Sequence, residues 1–537
     1  MATLFTGIQM KYFAALCMII LTGSYLIAQN ETDAFRYSQA GIAGSARAMG
    51  LGGAYSAVGA DLASASVNPA GLAVYRKNTF SISPQFSLHR TTSDFLDGRA
   101  TIGNTQLNIP SWGFTFTGKN YYETGNERRE VQEGLKSYTF AIGVNQLENY
   151  NRTIDVRGFN TESSISDFFA EQANFTGETR DFISPNSFAG LAARTFVVDT
   201  LLGQAAAYYP AVNGGDITQR INLAETGRRN EFFISLAGNF EDVVYFGASM
   251  GIQTLRYTQS LFLQETDTEG LHEFLQNNPD FPLESPMNEI RYENEFSTRG
   301  TGINVSMGVI VRPVDPLRIG LSVQSPTYFS LTDQFNVDLA QEYAIVLPNG
   351  SLGTEELSAS IDPGQYRYTL ATPFRATFGA MYLLGKSGFL TADVEYTDFS
   401  AAILSAEDYD FRSENDNIQV YYRPAVTYRV GGEIRNGIFR LRAGAAIQGD
   451  PLSNELKEYL DYEDLVSVRS ISNGGKTFIT GGIGIRQPKF FLDVTLINER
   501  QKDIFTPYTT ESIEIYNPTL VNSTSSFRIV TTLGFTF

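Results

Sequence analysis

The strongest constraint on the fold is the C-terminal segment of the chain, which alternates apolar and polar residues and ends in phenylalanine. The side chains that share its apolar face are Phe527, Ile529, Leu533, Phe535 and Phe537. A terminal strand with unpaired backbone groups exposes an edge, and pairing it with the first strand of the same sheet removes both edges at once. The terminus therefore predicts a sheet that closes on itself.

The same period-two alternation runs through most of the chain from about residue 79 onward. Clear examples are Thr79–Leu88, Ile303–Val311 and Phe439–Ala445. A mean hydropathy of -0.14 is far too polar for a bundle of membrane-spanning helices. It suits a barrel, in which only every second strand residue meets lipid. A soluble β-sandwich alternates in the same way, so this pattern by itself leaves both folds open.

The spacing of the connections favours the membrane barrel. Fourteen strands are predicted, centred near residues 84, 114, 141, 235, 248, 306, 321, 377, 393, 430, 442, 481, 493 and 532. From the fourth strand onward, polar links of roughly 25 to 40 residues alternate with short ones, as expected when all long loops lie at one end of a barrel. The short links are Asn239–Asp242, Arg312–Pro316, Gly385–Gly388, Arg435–Gly437 and Gln487–Lys489. The link Gly118–Lys136 is longer than this pattern expects. We therefore predict an all-β fold, a 14-stranded antiparallel transmembrane β-barrel over residues 79–537.

The N-terminus predicts export. In residues 1–28, Lys11 supplies a positive charge, Tyr12–Ile27 is apolar and Ala28 precedes a plausible cleavage point, as in a secretory signal. The only cysteine, Cys17, lies in this segment, so the mature chain would contain no thiol for catalysis or for metal binding. The net charge of -18 argues against nucleic acid as a partner. No metal and no cofactor is expected.

A segment rich in Gly, Ala and Ser precedes the first predicted strand. It spans residues 29–78 and includes the run Arg47–Ala73, RAMGLGGAYSAVGADLASASVNPAGLA. Small residues suit a segment that threads a narrow lumen and touches other backbone closely. The run resembles the N-terminal hatch of the FadL/TodX family of outer-membrane transporters for long-chain fatty acids and hydrocarbons. That resemblance implies a hatch that plugs the lumen, with Asn68, Pro69, Ala70, Gly71 and Leu72 as its motif.

The resemblance also implies a function and a location. The chain is expected in the outer membrane of a Gram-negative bacterium, as a monomer that the barrel-assembly machinery inserts among outer-membrane lipids. It would transport hydrophobic compounds passively, by capture in the outer loops, rearrangement of the hatch and lateral exit through the wall. The alternative is a FadL-like barrel that acts as a secretion or surface-assembly component and binds a protein partner.

The largest predicted loop, about Gln146 to Arg229, contains the helix-like apolar stretches Ser187–Asp199 and Leu201–Tyr209. Apolar side chains in such loops must pack on something. Candidates for a ligand-capture groove are Phe188, Leu191, Phe196 and Val197 in this loop, and Phe274 and Leu275 in the loop after the fifth strand. The same residues suit a loop core without a ligand equally well. Candidates for contacting a carboxylate head group inside the barrel are Arg375 and Arg429.

Enzymatic chemistry finds little support in the sequence. The two histidines, His89 and His272, are predicted to be solvated loop residues, and neither is flanked by a nucleophile at strand spacing. Pro84 and Pro373 interrupt strand hydrogen bonding and are predicted weak points of the wall. The FadL/TodX resemblance instead implies an opening at the third strand, where Tyr138–Asn145 contains no such breaker.

Overall fold

Antiparallel strand pairing determines the architecture in the computed structural model of the chain. The model describes residues 31–124, 127–200, 206–212, 214–268, 287–346, 351–453, 475–510 and 517–537. The predicted signal segment, His272, Phe274 and Leu275 lie outside the described residues. No helix in the described part of the chain is long and apolar enough to cross a membrane.

The strands make up most of the structure. They are β1 (Thr79–Phe95), β2 (Gly98–Lys119), β3 (Tyr121–Thr124), β4 (Glu127–Glu130), β5 (Leu135–Asn149), β6 (Arg152–Asn160), β7 (Val198–Thr200), β8 (Tyr208–Pro210), β9 (Ile217–Phe240), β10 (Val244–Thr266), β11 (Met287–Val314), β12 (Leu317–Gln324), β13 (Tyr328–Val346), β14 (Leu352–Ala371), β15 (Arg375–Leu383), β16 (Gly388–Asp398), β17 (Ile403–Ser405), β18 (Pro424–Asn436), β19 (Phe439–Gln448), β20 (Lys476–Arg486), β21 (Phe490–Phe505) and β22 (Leu520–Thr536).

The helices are short and lie before the first strand or between strands. They are α1 (Glu31–Ser38), α2 (Ala46–Met49), α3 (Ser64–Val67), α4 (Ile165–Thr176), α5 (Phe188–Thr195) and α6 (Arg412–Tyr421), with 3-10 helices at Pro69–Val74 and Phe399–Ala401.

The main sheet closes through its first and last strands. Strand β1 pairs with β2 on one side and with β22 on the other, from Thr79↔Thr536 to Phe95↔Leu520. This sheet contains 18 segments. Four pairs of segments (β5–β6, β12–β13, β14–β15 and β16–β17) continue one another along the chain, which leaves fourteen strands. The predicted 14-stranded antiparallel barrel and its closure by the C-terminal strand are confirmed.

Most short turns lie at one end of the barrel, here called the turn end, and most long connections lie at the other, the loop end, where the tight β1–β2 turn is an exception. Two connections differ from the sequence prediction. Residues 325–374, predicted as a link, form the tall hairpin β13–β14, because both strands continue past a joint at Pro326 and Pro373. The long link Gly118–Lys136 carries the small separate hairpin β3–β4 at the turn end.

The wall is apolar outside and polar inside, the reverse of a soluble sandwich. Large exposed apolar side chains of the wall include Phe116, Leu236, Met307, Phe378, Tyr428, Ile483 and Phe535. Buried polar side chains from alternating positions include Ser87, Thr139, Ser235, Thr377, Glu433, Arg442 and Asp493. A closed barrel with an apolar outer belt and a polar interior is a transmembrane β-barrel of the outer-membrane type.

The N-terminal segment fills the barrel from the loop end to the turn end. Helix α1 packs beside the loop helix α6, with the rings of Phe35 and Tyr422 stacked 4.6 Å apart. Helix α2 packs on β20, β21 and β22, and the 3-10 helix Pro69–Val74 packs on β5, β9, β10 and β11. The lumen therefore holds a hatch, as the FadL/TodX resemblance implies.

Candidate functional site: a luminal cavity beside a gap in the wall

Polar groups of the barrel wall fasten the hatch by its backbone. The carboxylate of Asp393 accepts hydrogen bonds from the backbone N–H groups of Tyr55 and Ser56, at 2.7 and 2.8 Å, and from the Ser56 hydroxyl at 2.8 Å. Thr532 accepts from the Ala46 N–H at 2.8 Å. Because backbone groups in a lumen must find partners, the wall supplies them from alternating polar positions.

The motif Asn68–Leu72 forms the start of a 3-10 helix of the hatch. The Asn68 side chain accepts from the Ala70 N–H at 3.1 Å and donates to the Ser56 carbonyl at 2.7 Å. Asn68 thus caps the 3-10 helix that begins at Pro69 and ties it to an earlier turn of the hatch. All five motif residues are buried.

Glycines of the wall allow the hatch backbone to approach. A Cβ atom on Gly444 would lie 2.2 Å from the Leu51 carbonyl carbon, and one on Gly320 would lie 2.4 Å from the Ser56 oxygen. Such distances are too short for any side chain, so these wall positions require glycine where the hatch passes.

The backbone ladder between β2 and β5 stops partway up the wall. Pairing runs from Lys119↔Ser137 to Ser111↔Asn145 and ends there. The next residue on β2 is Pro110, which has no N–H to donate. Residues beyond Asn145 on β5 bulge and leave the neighbouring strand.

Above this point side chains replace the backbone ladder. Asn108 on β2 donates to Gln146 on β5, and Asn149 donates to Gln106 at 2.8 Å. Near the tip of the β1–β2 hairpin the contact closes again, where the Phe159 N–H donates to Asp97 at 2.7 Å. We call the unpaired interval between Ser111 and the hairpin tip the wall gap.

Two ion pairs join the third barrel strand, formed by β5 and β6, to strands β20 and β21. Glu148 on β5 pairs with Lys476 on β20 at 3.1 Å, and Arg152 on β6 pairs with Asp503 on β21. The hatch is bonded at the same place, since the Gly41 N–H donates to the Leu147 carbonyl at 3.1 Å. The third barrel strand is therefore held by ion pairs to β20 and β21 and by a hydrogen bond to the hatch.

A cavity of about 450 Å³ lies between helix α1 and the wall formed by β21, β22, β1 and β5. At the loop end it is lined by Ile504, Phe505 and Thr506, and at the wall gap by Pro110 and Gln146. Its volume is within the range of ligand pockets in proteins. The cavity thus connects the loop end of the lumen with the wall gap.

The opening at the third strand that the resemblance implies stays a prediction, and the two predicted proline weak points lie at different places in the wall. Pro84 lies in an irregular step of β1, directly across from Ile109 and Pro110 on β2. Pro373 lies at the joint of β14 and β15, where Thr327 and Thr372 still bond each other across the seam at 2.9 and 3.1 Å. The residue that marks the gap is Pro110, which sequence reasoning missed. A proline within an alternating strand was the available signal.

The predicted groove residues of the large loop are packed in its core. Leu191 and Val197 are fully buried, and Phe188 makes edge-to-face contacts with Phe168 and Phe169. Phe196 lies under the Arg180 guanidinium, 4.2 Å from its ring centre. None of these four lines the 450 Å³ cavity. Their role in ligand capture stays a prediction.

The helix-like stretches of this loop are only partly helical. Residues 188–195 form α5, but the stretch Leu201–Tyr209 ends in strand β8, and its residues 201–205 lie outside the described part. Strand β8 pairs with β7, which follows α5, so backbone pairing overrides the helical pattern there.

The predicted head-group residues Arg375 and Arg429 lie together, but they do not line the main cavity. They line a smaller cavity of about 70 Å³ behind the hatch. Arg429 pairs with Glu395 at 3.2 Å, and Arg375 donates to the Ser38 carbonyl. Their contact with a ligand head group stays a prediction.

His89 differs from its prediction as a solvated loop residue. Strand β1 continues past it to Phe95, so His89 lies on the interior face of the wall and lines the 450 Å³ cavity. In the described part of the chain, no group of three or more His, Cys, Asp and Glu side chains is arranged to hold a metal ion.

The large loop covers the loop end of the barrel as a lid. Helices α4 and α5 pack with Phe95, Ile217 and Leu520 from the upper strands in one apolar cluster. Ser164 caps α4, and Asp167 accepts from the Ser164 N–H at 2.8 Å. Burial raises the pKa of the Asp167 carboxyl to about 6, although this hydrogen bond opposes the shift.

The fold and site define a class: a transmembrane β-barrel of fourteen strands that is filled by its own N-terminal segment. The sequence matches no family model and no curated protein. Among solved structures, the chain is similar to a Pseudomonas aeruginosa FadL homologue, with 13% identity over 93% of this chain and 99% of that one and a TM-score of 0.48.

It is also similar to the Pseudomonas putida toluene transporter TodX, with 11% identity, 93% and 99% coverage and a TM-score of 0.47. The Ralstonia pickettii toluene transporter TbuX follows with 13% identity, 92% and 98% coverage and a TM-score of 0.45. A FadL homologue and TodX are thus among these structures, and they bear the names of the family that the N-terminal segment resembles. Because these similarities are weak, the barrel architecture is established by the strand pairing of this chain and not by the comparison.

Proposed function

We propose that the chain carries hydrophobic compounds passively through the outer membrane, from the loop end into the luminal cavity and sideways out through the wall gap. The observation that carries this proposal is the continuity of the 450 Å³ cavity with Pro110 and Gln146 at the gap. Directly outside, Leu107 and Ile109 are 76% and 52% exposed on the lipid-facing side of β2. An apolar molecule leaving there enters lipid without crossing water.

The hatch makes a straight axial path unsuitable. Its backbone touches the wall on several sides, and a cavity of about 70 Å³ lies beside it. A solute that reaches the upper cavity is therefore next to the wall gap and above a filled lower lumen. Small movements of the hatch near Gly41 would widen the gap, since the hatch is bonded to the bulged strand there.

The test is to close the gap with a reversible tether. The mature chain has no native cysteine, because Cys17 lies in the predicted signal. The double variant Asn108→Cys, Gln146→Cys places one thiol on each side of the gap, where the native side chains are in contact. Crosslinking with a short reducible bis-maleimide should lower uptake of a hydrophobic naphthylamine dye by about tenfold or more, and cleavage of the linker should restore uptake, because only the exit is blocked.

The matched control is the pair Thr117→Cys, Thr139→Cys on the same two strands, below the gap, where the native hydroxyls lie 3.1 Å apart. A tether in this hydrogen-bonded part of the seam should leave uptake unchanged. Equal uptake by the tethered gap variant and its untethered form would overturn lateral exit. Absence of dye uptake in the untethered protein, relative to cells lacking it, would overturn transport altogether.

A further inference from the structure

The charged side chains that line the 450 Å³ cavity already have partners. Lys476 pairs with Glu148 at 3.1 Å, and Arg528 pairs with Glu499 at 2.9 Å. The remaining lining pairs are Arg152 with Glu225 and Asp503, and Arg36 with the neighbouring Asp33. Among the described lining residues, Lys502 alone is a cation with no ion pair shown, and it is exposed at the loop end. An ionised carboxylate entering the cavity would meet four carboxylates, those of Glu148, Glu225, Glu499 and Asp503, which already neutralise its buried cations.

One wall of the cavity nevertheless presents polar atoms without partners. On strand β1 these are Gln85 Oε1 and His89 Nε2, and on β22 they are Ser526 Oγ and the Nε and Nη2 groups of Arg528, which forms an ion pair with Glu499 but donates no hydrogen bond from either nitrogen. His89 and Ser526 are directly paired across the two strands, so these groups form one patch. Across the cavity at the bulged strand, Glu148 Oε2 and Tyr150 Oη are also unpartnered. Buried polar atoms of this kind are costly unless something supplies hydrogen bonds.

Beside this patch, another side of the same cavity is apolar. The hatch contributes Phe35, Ile42 and Met49, and Leu147 continues this surface toward Pro110 at the wall gap. A molecule with one polar end and one apolar chain matches both sides at once. Its polar end meets the β1–β22 patch, and its chain lies along the hatch with its end toward the gap.

We infer that the preferred cargo is an uncharged amphiphile, whose head group carries hydroxyl or ester groups, rather than an ionised fatty acid or a plain hydrocarbon. This inference rests on the proposed function and specifies the substrate class of the same site. Hydroxyl groups both donate and accept, so they satisfy the Gln85 and Ser526 oxygens without disturbing any ion pair. A plain hydrocarbon would leave these buried polar atoms unsatisfied.

The test compares two ligands with the same chain on the full-length protein in detergent. The glycerol monoester of tetradecanoic acid and tetradecanoate itself are titrated by calorimetry at pH 8, where the acid is ionised. The monoester should bind about tenfold tighter or more. Ser526→Ala and Gln85→Leu should each weaken the monoester several-fold and leave the binding of the acid nearly unchanged. Ser523→Ala, an exposed serine of the same strand, is the matched control and should change neither.

The outcomes separate the two proposals. Equal or tighter binding of tetradecanoate would overturn the preference for an uncharged head group while leaving hydrophobic transport in place. Monoester binding that is insensitive to both Ser526→Ala and Gln85→Leu would overturn the assignment of the polar patch. Failure of both ligands to bind, together with no dye uptake in cells, would count against the proposed function itself.

Discussion

Asn68 shows how one residue holds the hatch in its bent form. Its side chain caps a 3-10 helix and donates to the Ser56 carbonyl, and it is buried. We expect Asn68→Ala to destabilise the hatch by about 1 to 3 kcal/mol, because a cap is lost and a buried carbonyl loses its donor. Hydrogen exchange of residues 56–74 should show the loss, whereas Asn436→Ala, at an exposed turn position, should have no effect there. Unchanged protection in the Asn68 variant would contradict this role.

Asp167 makes the stability of the lid depend on pH. Its pKa of about 6 in the folded protein lies above the ordinary value of 3.8. Between pH 3.8 and about 6, the folded lid therefore binds more protons than the unfolded lid. The free energy of unfolding of the lid should rise as the pH falls from about 7 to about 4. The expected gain is about 2 kcal/mol. Hydrogen exchange of α4, corrected for intrinsic rates, would measure it.

Glu265 is packed at the same helix start, where it accepts from the Ile165 N–H at 2.7 Å, so two acids contribute to that region. Asp167→Asn retains an acceptor for the Ser164 N–H and should remove part of the pH-dependent gain. A pH profile identical to that of the native chain would show that Asp167 does not titrate with the lid.

At the scale of elements, a single proline on β2 follows the last pair of the β2–β5 backbone ladder, where the wall gap begins. Pro110→Thr restores a backbone N–H at the end of the β2–β5 ladder, and threonine suits a strand. We expect the ladder to extend toward Gln146 and dye uptake to fall several-fold. Pro84→Thr is the control, because Pro84 is at the same height on β1 but does not adjoin β5. Equal uptake in both variants and the native chain would contradict this role of Pro110.

The strands were predictable from the sequence because the alternation of apolar and polar residues is a property of each strand by itself. Period-two alternation identified all fourteen strands, and the C-terminal strand identified the closure, because both follow from which face of a strand meets lipid. The wall gap was not identified at Tyr138–Asn145, since its cause is Pro110 on the neighbouring strand. His89 was assigned to a loop because strand β1 extends above the apolar belt, where alternation no longer distinguishes strand from loop.

The candidate site was less predictable than the fold. The sequence singled out Arg375 and Arg429 by residue type, but the two cavities are divided by the path of the hatch residues near Gly41. That path depends on contacts such as Asp393 with Tyr55, which are 338 residues apart in sequence. Residue type alone therefore does not show which interior arginine or lysine lines the main cavity, because that depends on which wall positions face which part of the hatch.

For the whole molecule, the hatch should control axial conduction. Deletion of residues 29–77 should raise single-channel conductance in planar bilayers several-fold, because the segment that fills the lower lumen is removed. The intact chain measured in the same bilayers is the reference. Unchanged conductance after deletion, with the barrel still resistant to heat and detergent, would mean that the lumen is blocked by something other than the hatch.

The bond from Gly41 to Leu147 has a consequence for such a deletion. The hatch is hydrogen-bonded to the third barrel strand there, so a barrel without its hatch loses one of the contacts that position this strand beside the wall gap. Water and ions would then gain an axial pore, while the proposed lateral route for oily solutes would lose a support. Under that proposal, the two kinds of permeability should move in opposite directions when the hatch is removed.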